Sequence, residues 1–217
     1  VGTTLPPEQE LQKLFKVSRS TVRSALQRLA SFGYVKASPR VGTVVIRAKP
    51  SMRASELRGL TEDLRQQGAT STASVLSIEL IEPSPAIRSH LELPAGERVL
   101  KLVRFRSVAG TPFALLRSFV PESTGISPDE DFSKPLYQII ERQHDLHIVY
   151  GRDVIAARSA QQEEARLLDI TPGSPVLFIQ RTAFLEYDRP VEYVEATIRS
   201  DLYEYNVTLP RGRDHMK

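Results

Sequence analysis

Two sets of side chains in this 217-residue sequence have the types and spacings to do chemistry. The first is Arg19, Ser20, Thr21, Arg23 and Ser24, directly after Ser18. Arginine bridges O6 and N7 of guanine, and short hydroxyls reach phosphate oxygens. The second is Arg104 and Arg106 in the run Val99–Val108, together with Glu192 in the run Val191–Arg199. Alternate residues of a strand share a face. Arg104 and Arg106 then lie with Leu100, Leu102 and Val108, and Glu192 with Val194, Ala196 and Ile198. Charge among apolar neighbours is costly unless an opposite charge meets it. Two converging arginines recognise a carboxylate or phosphate in a planar, two-pronged way. Plainer readings stand beside these. The first set also suits the solvated face of an amphipathic helix. The second suits a solvated edge, or a simple pairing of Glu192 with one arginine.

The elements that must carry the first set are two short helices. Leu11, Leu14 and Phe15 recur at helical spacing, the pattern breaks at Lys16-Val17, and Val22, Ala25, Leu26, Leu29 and Phe32 resume it. Ser18 suits the N-cap of the second helix and Gly33 its stop. Such a pair lays its second helix in a DNA major groove, N-terminal residues towards the bases. Tyr34–Ala37 and Thr43–Arg47 read as strands joined by the turn Ser38–Gly42. That hairpin is a wing placing Arg40, and the turn's closing Gly42, near a phosphate or the minor groove. Alternatively it is a plain hairpin covering the helices. Residues 1–50 hold nine Lys/Arg against Glu8 and Glu10, about +7, and the whole chain is +3, leaving about −4 for the remainder. A basic module on a mildly acidic one suggests division of labour, with phosphate contact in the basic part.

The run Arg47–Ser55 lacks apolar periodicity and reads as a linker. Beyond it, Thr61–Gly68, Pro85–Leu91, Pro135–Arg142 and Gln161–Leu168 are predicted helices. Val75–Ile81 and Ile148–Ala157 are predicted strands. Val99–Val108 with Phe113–Val120, and Val176–Tyr187 with Val191–Arg199, are predicted hairpins across Ala109–Pro112 and Asp188–Pro190. The shared layout of the two hairpins suggests a weak internal repeat. Antiparallel hairpins with helices packed on them predict an α+β domain.

Cysteine is absent, which excludes disulfides and thiolate metal sites and fits a reducing cytosol. No apolar stretch approaches the roughly 20 residues of a membrane span, and no signal peptide is visible. His144 and His147 have a spacing that suits two ligands on one helix face, but with only Asp145 nearby they read as chance surface histidines. No metal and no cofactor is assigned.

The strings Leu5–Leu11, Val17–Leu26, Gly33-Tyr34 and Gly42–Val45 resemble the winged-helix domain of GntR-family transcription regulators. Such domains usually begin with a further helix, so Val1–Thr4 reads as the loop after it, and the natural beginning is expected to be missing here. The family often has glycine where Arg40 stands. Residues 55–205 resemble the effector-binding (UTRA) domain of the HutC subfamily, whose fold is chorismate-lyase-like. The signposts are Leu60–Leu64, Arg104-Phe-Arg106, Gly110–Pro112, Val120-Pro121, Leu136-Tyr137, Pro190–Glu192 and Arg199–Tyr203. The resemblance implies that Leu60, Thr61, Arg104, Arg106, Tyr137 and Glu192 bind the effector. A helix start at Leu60-Thr61 would offer free N–H groups to an anion. Pro135, Leu116 and Ile198 stand where relatives that sense sugar phosphates often carry serine, an acidic residue and tyrosine. The expected ligand is therefore anionic and less hydroxylated than an amino-sugar phosphate, such as a small organic or aromatic acid.

These readings converge on a winged helix at 1–47, a linker at 48–55 and an effector domain at 56–210. The expected protein is a cytoplasmic homodimer, a repressor whose hold on near-palindromic operator DNA responds to a small anion. A small-molecule enzyme with Glu192 as general base is the alternative. It has no nucleophile–base pair or cofactor loop behind it, and fold analogy does not transfer chemistry. A second domain serving only dimerisation is a third reading.

Overall fold

The first helix, α1 (Glu8–Phe15), begins after Pro7 with Glu8 and Glu10 in its first turn, where the helix dipole favours negative charge. It stops where Lys16 turns left-handed at φ 51. The second, α2 (Arg19–Ser31), is capped as expected: the Thr21 amide donates to Ser18 Oγ at 3.2 Å. Strands β1 (Val35–Ser38) and β2 (Gly42–Val45) pair antiparallel as a wing. The opening segment lies along β2, with a bridge from Thr4 to Val44. The structure is a computed structural model describing residues 2–31, 34–39, 41–45, 51–53, 57–66, 69 and 71–206. Arg40, and the stop signals Gly33 and Gly68, lie outside the described residues.

Two expectations about this first module are corrected. Leu11 and Val22 are buried, but Leu14 and Phe15, read as part of the same apolar stripe, are 66% and 65% exposed. Two short helices and a two-stranded wing have too little surface to cover every apolar face. The run read as a linker is not wholly irregular: β3 (Ser51–Arg53) pairs in parallel with β10 (Glu204–Asn206), about 150 residues away.

The second module follows the α+β expectation, with α3 (Leu60–Gln66), β4 (Ser71–Ile81), α4 (Pro85–His90), β5 (Val99–Val108), β6 (Thr111–Pro121), α5 (Leu136–Gln143), β7 (Tyr150–Ser159), α6 (Gln162–Leu168), β8 (Pro175–Phe184) and β9 (Pro190–Arg199). One six-stranded antiparallel sheet runs in the order β4-β5-β6-β9-β8-β7. The suspected repeat is visible in that order. Each half is strand, helix, hairpin, and the halves meet where β6 pairs with β9. The first hairpin turns tighter than expected, on Ala109 (φ 49) and Gly110 (φ 75) alone. Positive φ at both central residues matches the twist of the flanking strands. The second predicted hairpin arm is shortened, because β8 ends at Phe184 and Glu186–Asp188 forms a 3-10 turn.

Helices α3 and α5 cover one face of the sheet, packing Leu60, Leu64, Leu136, Ile139 and Ile140 against the inward residues of β5, β6, β8 and β9. Clusters around Leu91, Leu93 and Tyr193, and around Ala165 and Val176, close the other face. There the buried Glu164 of α6 takes two 2.7 Å hydrogen bonds from Arg158, one of 2.8 Å from Thr197 and one of 3.2 Å from Arg117. The α3/α5 face is the one that carries the charged residues singled out above.

Candidate functional site

Arg19, Ser20, Thr21 and Arg23 project from the first turns of α2 with their side chains in solvent. The Arg19 and Arg23 side chains are 70% and 61% exposed, so a duplex can reach both. Glu8 holds them together: its carboxylate lies 3.2 Å from Arg19 Nε and 3.7 Å from Arg23 Nε. Ser18 Oγ links Ser20 at 2.7 Å and Thr21 at 2.8 Å. Gly42 opens β2 in the left-handed region at φ 99. Arg28, further along α2, does not face the same way, and donates to Thr111 Oγ1 at 2.6 Å.

On the covered face of the sheet, strand alternation does what the sequence implied. Every second residue of β5 from Leu100 to Val108 is buried, including Arg104 (3% exposed) and Arg106 (4%). The register sets Arg104 opposite Leu116, Leu116 opposite Ala196 and Ala196 opposite Ile179, a cross-strand row that floors a pocket. Glu192 enters from β9, Tyr137 and Pro135 from the start of α5, and Leu60 and Thr61 from α3. All six residues expected to bind an effector therefore line one cavity.

That cavity is electrostatically unsettled. Arg104 Nε and Nη1 and Arg106 Nε are buried without hydrogen-bond partners. Burial, and for Arg106 also the neighbouring Arg104 cation, pulls both guanidiniums down, Arg106 to about 9. Water solvates both guanidiniums poorly, which is what this lowering reflects. Burial drives the Glu192 carboxyl upward, opposed by a hydrogen bond with Ser118 and by the Arg104 and Arg181 cations. Orphaned donors beside leucine, alanine and isoleucine suit an anionic head on an apolar body.

Several residues of this site escaped the sequence reading. Arg181 lines the cavity from β8. The period-two run Ile179, Arg181, Ala183 is the signal that places it there. Its partner Asp153, on β7, grips it with contacts of 2.6 and 2.7 Å. Glu8 also pairs with α2, a contact with no local signature in the sequence. Among the described residues no group of three His, Cys, Asp or Glu could hold a metal, and His144 contacts Glu130. No helix among them is long and apolar enough to cross a membrane.

The sequence matches the UTRA domain over residues 66–204 and the bacterial regulatory proteins of the gntR family over residues 1–45. It is 30% identical over 202 residues to the HTH-type transcriptional repressor NagR of Bacillus subtilis, covering 93% of this chain and 83% of that one. To the HTH-type transcriptional regulator TreR of the same organism it is 28% identical, with 96% and 89% covered. The crystal structure of PhnF from Mycobacterium smegmatis superposes with a TM-score of 0.72 over 98% of this chain and 94% of that one; at 24% identity this supports the fold.

Proposed function

The chain belongs to the GntR family of bacterial regulatory proteins with a UTRA domain, a ligand-responsive DNA-binding regulator and not an enzyme, and from that premise we propose that it is a dimeric cytoplasmic repressor released or retained by a small anion. Residues 1–47 hold the operator, 48–55 connect, and 56–210 sense the effector. Arg19, Ser20, Thr21 and Arg23 meet the major groove, with Arg40 and Gly42 at the wing. Leu60, Thr61, Arg104, Arg106, Tyr137 and Glu192 form the effector site. The repressor sense is supported by the name of NagR.

The observation that carries the ligand class is the pair of buried guanidiniums with orphaned donors over an apolar floor. A carboxylate would satisfy those donors. Leu116, Ala196 and Ile198 would take an aliphatic or aromatic body, and they give a polyol no side-chain hydrogen bonds. The site so read takes a small organic or aromatic acid, or a lightly hydroxylated phosphate ester. Two recognition helices related by the dimer axis would meet two half-sites about 34–36 Å apart. Effector binding shifts operator affinity only as far as it favours one arrangement of the heads over the other.

A thermal-shift screen tests this with benzoate, citrate, inorganic phosphate and glucosamine 6-phosphate on the full chain. Stabilisation by a carboxylate without turnover supports the reading. Selective stabilisation by the amino-sugar phosphate, lost in Arg106→Met, would overturn the ligand class.

A further inference from the structure

Arg181 is 8% exposed, faces the cavity from β8, and has all three guanidinium nitrogens engaged. Nε and Nη2 grip Asp153 on β7, and Nη1 donates to the backbone carbonyl of Arg58 at 2.8 Å. Arg58 belongs to the segment that leads from the DNA-binding module into α3. The same Asp153 carboxylate accepts from the Tyr205 hydroxyl at 3.0 Å. Tyr205 sits in β10 opposite Met52 of β3, which lies in the same connection between the modules. The approach is close: a Cβ on Gly151, two residues before Asp153 on β7, would sit 2.6 Å from Leu57 Cδ1 and 3.5 Å from Arg181 Cδ. One buried ion pair thus touches the pocket wall and both stretches of the joint, 51–53 through β10 and 57–59 directly.

We propose that Arg181 and Asp153 are positioning residues that transmit the state of the pocket to the joint beneath the DNA-binding module. The inference rests on reading the cavity as an effector site. A fork-on-carboxylate pair is directional and poorly tolerant of displacement, because a buried ion moved off its partner loses the attraction that offsets its desolvation. A ligand that moves the wall around Arg181 must therefore move Arg58, or tilt Asp153 and with it Tyr205 and β10. Arg181 has no need to touch the ligand for this.

The test uses the full chain and a duplex selected from a random pool by the wild-type protein. Tyr205→Phe removes one hydroxyl, Asp153→Asn removes the charge, and Tyr150→Phe is the control. Tyr150 also lies on β7, and its hydroxyl donates to Asp188 at 2.8 Å, away from the cavity. In Tyr205→Phe, amide exchange is expected to rise about threefold at both 204–206 and 57–61, and ligand-free DNA affinity to change by about threefold or more, with the unfolding midpoint unmoved. Tyr150→Phe changes neither. Exchange confined to 204–206, or DNA affinity equal to wild type, overturns the proposal. If Asp153→Asn does not fold, Tyr205→Phe still decides. If the wild-type chain selects no duplex, the regulator reading fails separately, and exchange at 57–61 alone decides whether the joint is coupled.

Discussion

Glu8 at the head of α1 and Arg19 at the head of α2 lie 3.2 Å apart, carboxylate to Nε, and the same carboxylate holds Arg23 at 3.7 Å. An exposed pair of this kind contributes only about 0–1 kcal/mol to stability. Its consequence is orientation: Glu8 keeps two exposed cations of α2 together, and a phosphate that meets them must compete with it.

Glu8→Gln therefore frees both guanidiniums and removes a charge that repels phosphate. Affinity for unrelated duplex is expected to rise at low salt. The slope of log affinity against log salt should steepen by about one. Titrations at several salt concentrations check this, and weaker binding at every salt would show that Glu8 preorganises the arginines rather than restraining them.

Arg19→Ala separates base reading from phosphate contact. A base contact costs about 1–3 kcal/mol and relaxes preference at one position of the operator. Competition between the operator and its single-base variants measures both. A loss uniform across all variants would assign Arg19 to the backbone.

Arg106→Met removes a buried cation with an orphaned nitrogen and a like-charged neighbour. The ligand-free protein is expected to gain about 1–2 kcal/mol of stability, because burial of an unsatisfied donor is relieved. Stabilisation by anions should fall at the same time. Opposite movement of those two readouts, in chemical denaturation with and without benzoate or phosphate, marks a residue kept for binding.

The sequence spelled out what depends on local period. Arg104, Arg106 and Glu192 were legible because a charge recurring at strand spacing among leucines and valines must face the same side as they do. Ser18 was legible because capping is a three-residue affair. What stayed hidden depends on distant partners. The parallel pairing of β3 with β10 joins residues with no shared pattern, and three residues are too few to alternate. Arg181 obeys the same period-two rule as Arg104, but its meaning rests on Asp153, Arg58 and Tyr205, remote in sequence. Leu14 and Phe15 followed helical spacing and are nonetheless exposed, since periodicity names a face without saying what covers it.

Glu164 gives the protein an acid-sensitive anchor on the other side of the sheet. Burial alone would raise its carboxyl, but hydrogen bonds from Arg158, the Gln161 amide and Thr197 bring it to about 2, below the ordinary 4.5. A carboxyl lowered on folding stabilises fully above 4.5, and that contribution disappears as pH falls from 4.5 towards 2. Glu164→Gln is expected to cost about 3 kcal/mol at neutral pH, since it leaves Arg158 short of a buried partner, and to flatten the acid limb. Denaturation midpoints between pH 2 and pH 7 check it, and an unchanged acid limb would remove Glu164 from this role.

On the proposed reading, a cationic cavity in one module governs DNA binding by the other. The most direct measurement is operator affinity by fluorescence anisotropy, titrated with small carboxylates and phosphate esters, in wild type and Arg104→Ala. At least one anion is expected to shift wild-type affinity about tenfold, while Arg104→Ala binds the operator normally and ignores that anion. Loss of operator binding by a folded, dimeric Arg104→Ala protein, or no response of wild type to any anion, would contradict it.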